Sequence, residues 1–482
     1  MLTDGSRARE DEMGWRASVG ATVTTVVVLF GGYLVADALD VVPGMLTTAP
    51  PPAPAAPFPT APGATTGPTP ERSLPDLPSD APEPARSAVG KLVTGLAKDD
   101  RLGKRVGAVV VDAASGETLA TAAPDRPMIP ASTQKLFTAV ATLAGPGGDT
   151  TLPTTVVLED ESHLVLVGGG DMMLAAGAGD PDEVNGRAGL ADLAEQVSAQ
   201  VLDAGQDTVT LGLDDSLFSG PAVPADVPAA DVKDGYTAPV AALAVDVART
   251  TDEEYAPRQK DPAMAAARTF VKALEKRGVT VRGEVAREEA PESAREVGRV
   301  ESAPLRDVVG DVLRRSDNTL TEVLGRIVAI DAGQPGTGAA AIKAVIAQVE
   351  ELGVDMDGAK LVDLSGLGRG SRATPAQLAA VLTLAVDPDH PELRDVADGL
   401  AVAGLNGTLH DRYPKSNPGR GYVNGKTGSL PKVTGLAGTV VTADDRMLVF
   451  VTLADKVPEG GSYGARVIFD NFAGKLADCG CR

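Results

Sequence analysis

The stretch PASTQKLFTA at residues 130–139 carries a serine and a lysine three positions apart, Ser132 and Lys135. Residues at that spacing lie on one face of a helix, and a helix start brings backbone N–H groups and positive potential close to Ser132 Oγ. A lysine can take the proton of such a serine only where burial and cationic neighbours lower its pKa. The same pattern also describes a helix-capping serine followed by a surface lysine, so a nucleophilic role needs support elsewhere in the chain.

A second motif, Ser316-Asp317-Asn318, follows a predicted helix at residues 305–315. Its serine could pass a proton between a base and a leaving amine. Its asparagine could hold both the lysine and an amide of the substrate. The alternative interpretation is a helix cap followed by a turn.

The third motif, Lys426-Thr427-Gly428-Ser429, is predicted to lie on an edge strand along which an extended substrate could bind. Lys426 and Thr427 would bind a substrate carboxylate, and Gly428 would leave room for close backbone approach. The backbone N–H of Ser429 would form an oxyanion hole together with that of Ser132. On its own, this motif is equally compatible with a plain turn.

The three motifs occur in the order SxxK, SxN and KTG, which makes them jointly far more specific than any one of them. In that order, the chain resembles the penicillin-binding proteins of the D-alanyl-D-alanine carboxypeptidase/endopeptidase branch, a low-molecular-mass class with an insertion after the nucleophile helix. The resemblance covers roughly residues 87–477. It extends to further segments, namely SDNTLTEVLGR at residues 316–326, GGGD at 168–171, DLSGL at 363–367 and AGLNGTL at 403–409.

The resemblance implies a mixed α/β (α+β) fold, a penicillin-binding or β-lactamase-like transpeptidase domain with an inserted second domain. Ser132 and Ser316 lie 184 positions apart, a gap too long for a β-lactamase and consistent with the inserted domain. The gap is shorter than in members with two nested insertions, so we expect the inner insertion to be reduced. Asp214 could face the site from the insertion, but a carboxylate that caps a turn is the favoured interpretation.

The resemblance also implies the function. The expected substrate is a peptidoglycan stem peptide ending in D-Ala-D-Ala, or a D-alanyl cross-link, and β-lactam antibiotics should acylate the same serine. No metal or organic cofactor is required. The catalytic residues would be Ser132, Lys135, Ser316, Asn318 and Lys426, and the substrate-binding residues would be Thr427, Gly428 and Ser429.

Two other hypotheses remain open. The first is a β-lactamase or esterase on the same fold, which needs a deacylating glutamate between the second and third motifs; the sequence offers no obvious one. The second is a non-catalytic cell-wall-binding protein, which the intact set of motif residues disfavours.

The N-terminal segments are predicted to lie outside the folded unit. Residues 17–36 form an uncharged run of 20 residues, about 30 Å as a helix and long enough to span a bilayer. An uncleaved membrane anchor is favoured over a signal peptide cut at the small-x-small site of residues 36–38. Arginines in residues 1–16 favour a cytoplasmic tail and therefore an extracytoplasmic catalytic head, which would instead be secreted if the segment were cleaved. Residues 37–86 are rich in Pro, Ala and Thr and are predicted to be a disordered, semi-extended linker.

Local patterns predict the main elements of the folded region. Predicted strands lie at residues 106–112, 117–122, 433–442 and 447–453, and predicted helices at 133–143, 263–277, 305–315 and 462–477. Strands at both ends with helices between them predict one α/β domain formed by residues 87–151 and 301–482. Residues 152–300 would form the inserted domain.

The composition argues against several other classes of function. A formal net charge of −22 makes nucleic acid an unexpected partner. The chain has only three histidines, His163, His390 and His410, and no HExxH or CxxC pattern. We therefore expect neither a common zinc site nor a histidine base. Cys479 and Cys481 are separated by one glycine, and a bridge between them would be strained, so terminal thiols or an adventitious or intermolecular disulfide are expected.

Overall fold

The computed structural model describes Tyr33, residues 77–78, residues 80–160 and residues 162–479. Residues 75–482 form one compact unit. The predicted cytoplasmic tail, the anchor at residues 17–36 (apart from Tyr33) and most of the predicted linker lie outside the described residues. In the part of the chain that is described, no helix is both long and apolar enough to cross a membrane.

Strands and helices alternate irregularly along residues 80–479. The strands are β1 (Val106–Asp112), β2 (Thr118–Ala122), β3 (Pro153–Leu158), β4 (His163–Gly168), β5 (Asp171–Leu174), β6 (Thr208–Asp214), β7 (Leu243–Val245), β8 (Thr280–Val281), β9 (Ala286–Arg287), β10 (Arg295–Glu301), β11 (Ala401–Val402), β12 (Val423–Leu430), β13 (Val433–Val441) and β14 (Met447–Ala454). The helices are α1 (Arg86–Ala97), α2 (Lys135–Thr142), α3 (Leu190–Asp203), α4 (Ala229–Lys233), α5 (Pro262–Glu275), α6 (Leu305–Arg315), α7 (Asn318–Asp331), α8 (Gly338–Glu351), α9 (Pro375–Leu384), α10 (Arg394–Asp398) and α11 (Ser462–Ala477).

The first sheet has the strand order β11-β12-β13-β14-β1-β2 and is antiparallel. Within this sheet, the N-terminal β1 pairs with the C-terminal β14, with Val109 opposite Val451. This pairing confirms the prediction that one sheet combines segments from both ends of the folded region.

Helices cover both faces of this sheet. Side chains of a strand alternate between the two faces, and β1 is buried along its whole length. Val110 belongs to a core shared with Phe469 of α11, whereas Val109 and Val111 belong to the core that contains Phe137 of α2. The helix that follows Ser132 is therefore held against the sheet by apolar packing on one face.

The segment between α2 and α6 builds a second sheet, with the order β10-β3-β4-β6-β8 and with β9 also paired to β6. Its first and last strands, β3 and β10, pair with each other in an antiparallel ladder. The chain consequently enters and leaves this sheet at neighbouring strands. A separate apolar core lies beneath it, with Val197 of α3 and Phe270 of α5 among its residues. The proposed domain limits of 152 and 300 remain a prediction.

The predicted elements agree closely with the observed ones. Helix α11 spans the predicted residues 462–477, and α6 spans the predicted residues 305–315. The nucleophile helix differs in detail, because Ala131–Gln134 form a 3₁₀ turn and the α-helix begins only at Lys135. Ser132 therefore lies on the tighter turn that leads into α2.

Candidate active site

Ser132 lies in a turn with an unusual backbone. Ala131, the residue before it, has a φ of 48°, a left-handed conformation that is uncommon for a residue with a Cβ atom. Ala131 is buried, and Ser132 is half-buried. Strain of this kind persists only where the surrounding structure imposes it, and it is concentrated at functional sites.

Lys135 connects three groups at the centre of the site. Its Nζ lies 3.1 Å from Ser132 Oγ, 2.7 Å from Asn318 Oδ1 and 2.5 Å from the carbonyl oxygen of Ser365. The side chain has no exposed surface. Burial lowers the pKa of Lys135 to about 8, although nearby carboxylates oppose the shift. A lysine in this state can accept a proton from Ser132 near neutral pH.

Asn318 is held in one orientation at the start of α7. Its Nδ2 donates to the carbonyl oxygen of Tyr236 at 2.8 Å, so Oδ1 faces Lys135. Asp317 caps the same helix, with its carboxylate accepting from the N–H of Leu320 at 2.8 Å. The motif thus contains both the helix cap that the alternative interpretation requires and the bond between Asn318 and Lys135 that the functional interpretation requires.

Ser316 and Lys426 form a second hydrogen-bonded pair. Ser316 ends α6 in the left-handed conformation, with a φ of 62°. Lys426 Nζ donates to Ser316 Oγ at 2.8 Å and to the carbonyl oxygen of Thr427 at 3.0 Å. Burial and the neighbouring Lys135 hold the pKa of Lys426 well below its ordinary value. Two buried lysines, each bonded to a serine, thus lie within one site.

The third motif lies on β12, as predicted. The short β11 pairs with β12 only at Asn424 and Gly425. The strand beyond those residues is consequently an edge along which an extended chain could bind. A Cβ atom on Gly428 would come within 2.8 Å of the carbonyl oxygen of Pro130, so the absence of a side chain lets β12 approach the Ser132 turn closely.

Two further side-chain contacts lie along this strand. Thr427 Oγ1 lies 3.0 Å from Thr408 Oγ1, which belongs to the AGLNGTL segment. Ser429 Oγ accepts from Arg466 of α11 at 3.2 Å. Two of the predicted substrate-binding residues, Thr427 and Ser429, therefore form a row of hydroxyl groups together with Thr408, and the exposed Arg466 lies at the end of this row.

The loop at residues 363–368 encloses the other side of Lys135. Gln134 Nε2 donates to the carbonyl oxygen of Asp363 at 2.8 Å, and the Asp363 carboxylate accepts from the N–H of Gly368 at 2.8 Å and the hydroxyl of Ser365 at 2.8 Å. Gly366 has a φ of 78°, and a Cβ atom there would come within 2.1 Å of the Ala131 carbonyl oxygen. This loop fixes the turn that carries Ser132.

Several residues around the site were not predicted from the motifs, among them Glu322, whose Oε1 accepts from the N–H groups of Leu364 and Ser365. The residues concerned are Tyr236, Glu322, Asp363, Ser365, Thr408 and Arg466. Four of the six lie in or beside the motifs and matching segments quoted from the sequence, namely Glu322 in SDNTLTEVLGR, Asp363 and Ser365 in DLSGL, and Thr408 in AGLNGTL. Tyr236 and Arg466 gave no sequence signal of their own.

The remaining sequence predictions have simpler outcomes. Asp214 caps a turn, since its carboxylate accepts from the N–H and the hydroxyl of Ser216 and from the N–H of Ala290. His163 lies on β4, where its ring contacts Thr210 and Glu288. Cys479 is buried and disulfide-bonded, which is the second of the two expected states, and Cys481 lies outside the described residues.

The comparisons with known proteins agree with this geometry. A family model described as the D-Ala-D-Ala carboxypeptidase 3 (S13) family matches residues 89–259 and 247–468. A carboxypeptidase of Mycobacterium tuberculosis is 32% identical over 411 residues, which cover 83% of this chain and 86% of the relative. The carboxypeptidase DacB of Mycolicibacterium smegmatis is 34% identical over 408 residues, with the same coverage of 83% and 86%.

A solved structure supports the fold. The crystal structure of penicillin binding protein 4 (dacB) from Haemophilus influenzae matches with a TM-score of 0.67 and 21% identity, covering 80% of this chain and 99% of that one. This match bears out the mixed α/β, penicillin-binding-protein type of fold that the three motifs predict. On the strength of the family model and the two carboxypeptidases, the chain belongs to the D-Ala-D-Ala carboxypeptidase 3 (S13) family.

Proposed function

We propose that this protein is a serine-type D-Ala-D-Ala carboxypeptidase that acts on peptidoglycan stem peptides, and that the same site has DD-endopeptidase activity on D-alanyl cross-links as a second reaction. The observation that carries the proposal is the position of Lys135 Nζ, which is hydrogen-bonded to both Ser132 Oγ and Asn318 Oδ1. A buried lysine between a serine and an oriented amide is suited to nucleophilic catalysis without histidine or metal.

In the acylation step, Ser132 Oγ attacks the carbonyl carbon of the penultimate D-alanine while its proton passes to Lys135. The backbone N–H groups of Ser132 and Ser429 stabilise the negative charge that develops on the carbonyl oxygen. Asn318 Nδ2 has a second hydrogen available for the amide of the bound peptide, since Tyr236 takes only one. The product of this step is an ester between Ser132 and the shortened peptide.

The leaving group departs on the side of the site where Ser316 and Lys426 lie. Lys135 returns the proton that it took from Ser132 to the leaving nitrogen by way of the Ser316 hydroxyl, which is bonded to Lys426, so that terminal D-alanine is released and Lys135 is neutral again. Water then attacks the ester, and Lys135 assists by accepting a proton from it. Hydrolysis restores the free Ser132 hydroxyl and completes the cycle.

The terminal carboxylate of the peptide binds beside β12. Lys426 and Thr427 supply a cation and a hydroxyl, and Ser429 and Arg466 extend the same row outward. Recognition of a free carboxylate favours carboxypeptidase activity. A cross-linked substrate would need to place its longer leaving group along the same strand edge.

A β-lactam presents a carboxylate and a strained amide in a similar arrangement, and we expect it to acylate Ser132 and to leave slowly. Intact-protein mass spectrometry after penicillin treatment should show one covalent adduct. Ser132→Ala should abolish this adduct without altering thermal unfolding, whereas Ser219→Ala, at an exposed position, should leave it unchanged. A wild-type protein that forms no adduct on Ser132 would contradict the proposal.

Product analysis on defined muropeptides separates the two peptidase activities. Release of D-alanine from an uncross-linked pentapeptide identifies a carboxypeptidase, and cleavage of a cross-linked dimer identifies an endopeptidase. If the wild-type enzyme acylates with penicillin but cleaves neither muropeptide, the proposed substrate is wrong although the nucleophile is right.

One observation bears on the β-lactamase alternative. Glu322 is a glutamate between the second and third motifs, but its Oε1 accepts from the N–H groups of Leu364 and Ser365 and its Oε2 faces Arg326 at 3.5 Å. A glutamate committed to these contacts lacks the free oxygen that would activate a deacylating water at Ser132. Rapid turnover of nitrocefin, compared with turnover of a D-Ala-D-Ala peptide, would support the alternative.

We further propose that residues 17–36 anchor the protein in the cell membrane as a single span, with the catalytic head extracytoplasmic. The support is the length and apolar character of that run in the sequence. Removing residues 1–40 should move activity from the membrane fraction to the soluble fraction. A truncated protein that aggregates would instead indicate that the segment packs against the head.

A further inference from the structure

Glu322 is buried one helical turn beyond Asn318 on α7. Its side chain is 2% exposed, and the spacing of four residues places it on the same helix face as Asn318. Glu322 Oε1 accepts from the N–H groups of Leu364 at 2.8 Å and Ser365 at 3.0 Å. One face of α7 thus bonds Lys135 directly through Asn318 and also holds the loop on the other side of that lysine.

The loop transmits this contact to the lysine. The carbonyl oxygen of Ser365 accepts from Lys135 Nζ at 2.5 Å, while the N–H of the same residue is bonded to Glu322. The Ser365 carbonyl belongs to the next peptide unit, whose nitrogen, that of Gly366, donates to Asp363 Oδ1 at 3.1 Å and which packs at Gly366 against Ala131. With Ser365 held on both sides in this way, its carbonyl group has little freedom to move. The Glu322 carboxylate therefore acts on Lys135 through a single intervening residue.

The charges around Lys135 make this position sensitive. The carboxylates of Asp363, Asp317 and Glu322 favour its charged form, whereas burial disfavours that form. The neighbouring Lys426 is a like charge. Arg326, on the same face of α7, is equally buried and lies against Glu322.

The charge of Glu322 itself depends on pH. Burial and the nearby Asp363 raise the pKa of Glu322 to about 7, against the opposing effect of Arg326. The other two carboxylates have structural contacts of their own: Asp317 caps α7, and the oxygens of Asp363 accept several hydrogen bonds within its own loop.

We propose that Glu322 is a positioning residue for acylation, which holds the Ser365 carbonyl group against Lys135 and whose negative charge sets the pH at which Lys135 loses its proton. The inference rests on the proposed function in one respect, because it takes Lys135 as the base. It assigns no contact between Glu322 and substrate.

The charge is tested with Glu322→Gln. Glutamine keeps an oxygen that accepts from both N–H groups but removes the negative charge, so the neutral form of Lys135 becomes easier to reach. Lys135 with a pKa of about 8 predicts that wild-type acylation by penicillin slows as pH falls below about 8. In Glu322→Gln this acid limb should move to lower pH, by on the order of one pH unit.

The matched control is Glu275→Gln, which removes an exposed glutamate at the end of α5 and should leave the acid limb in place. A Glu322→Gln enzyme that is slower at every pH, with its acid limb unmoved, would overturn the role in setting the pH dependence. A wild-type enzyme that forms no penicillin adduct would instead refute the proposed function itself, so the two failures are distinguishable.

The hydrogen bonds are tested with Glu322→Asp, which keeps the charge but shortens the side chain. We expect acylation at least about tenfold slower, since a displaced carbonyl group misplaces the base, with the acid limb close to that of the wild type. Wild-type acylation by Glu322→Asp would overturn the positioning role. This variant also decides the question if Glu322→Gln fails to fold, which thermal unfolding would reveal.

Discussion

The surroundings of Lys135 and Lys426 differ in one respect that separates their proposed tasks. Both lysines are fully buried, and both are hydrogen-bonded to a serine of the site. Three carboxylates of the protein favour the charged form of Lys135, whereas the charged neighbour of Lys426 is Lys135 itself. Among the described residues, carboxylates therefore oppose the charge of Lys135, whereas no carboxylate contributes to the pKa shift of Lys426.

We infer from this difference that the substrate supplies the negative charge next to Lys426. A terminal carboxylate bound beside β12 would bring to Lys426 the negative charge that Asp363, Asp317 and Glu322 provide for Lys135. Binding would then favour the charged form of Lys426 and sharpen the contrast between the two lysines. Lys135 stays available as a base because its own pKa of about 8 is close to neutral pH.

The largest effect is expected from removing Lys135, the lysine whose charge is opposed by carboxylates of the protein. Lys135→Ala should slow acylation by penicillin by about a thousandfold or more, because no other described group bonded to Ser132 can accept its proton. The measurement is the rate of adduct formation by mass spectrometry. Lys343→Ala, at an exposed position on α8, is the matched control, and a near-normal rate in Lys135→Ala would remove the lysine from its role as base.

A smaller and more selective effect is expected at the second lysine. Lys426→Ala should reduce turnover of a peptide ending in a free carboxylate by about a hundredfold, since a buried charge partner is lost. The same peptide with an amidated end should be a poor substrate for the wild type and should be affected much less by the substitution. Equal losses on both peptides would show that Lys426 does not recognise the carboxylate.

The smallest effect is expected at the exposed end of the row. Arg466→Gln should raise KM for the free-carboxylate peptide by at most about fivefold, because an exposed ion pair contributes little. Its bond to Ser429 is the contact at risk. Lys343→Ala again serves as the control in the same steady-state assay, and an unchanged KM would place the carboxylate wholly with Lys426 and Thr427.

Much of the fold could be predicted because its signals are local. Helices α6 and α11 and strands β1 and β13 follow from periodicity and apolar runs that tertiary contacts reinforce. The three motifs could also be recognised, since each occupies three or four consecutive residues. The start of α2 was the exception, because the 3₁₀ turn at Ala131–Gln134 is imposed by the loop around Gly366, which lies far along the chain.

The sequence by itself determined the candidate reacting groups, namely Ser132, Lys135, Ser316, Asn318 and Lys426, in a fixed order and with a long gap after the first pair. Only the tertiary structure decided their state. The pKa of Lys135 is lowered because the chain buries it against Asn318 and Ser365, which lie 183 and 230 positions away in the sequence. Contacts between residues so far apart produce no periodic pattern in the sequence. The physical reason is that burial and hydrogen bonding depend on three-dimensional neighbours, whereas a motif records only residue type and spacing.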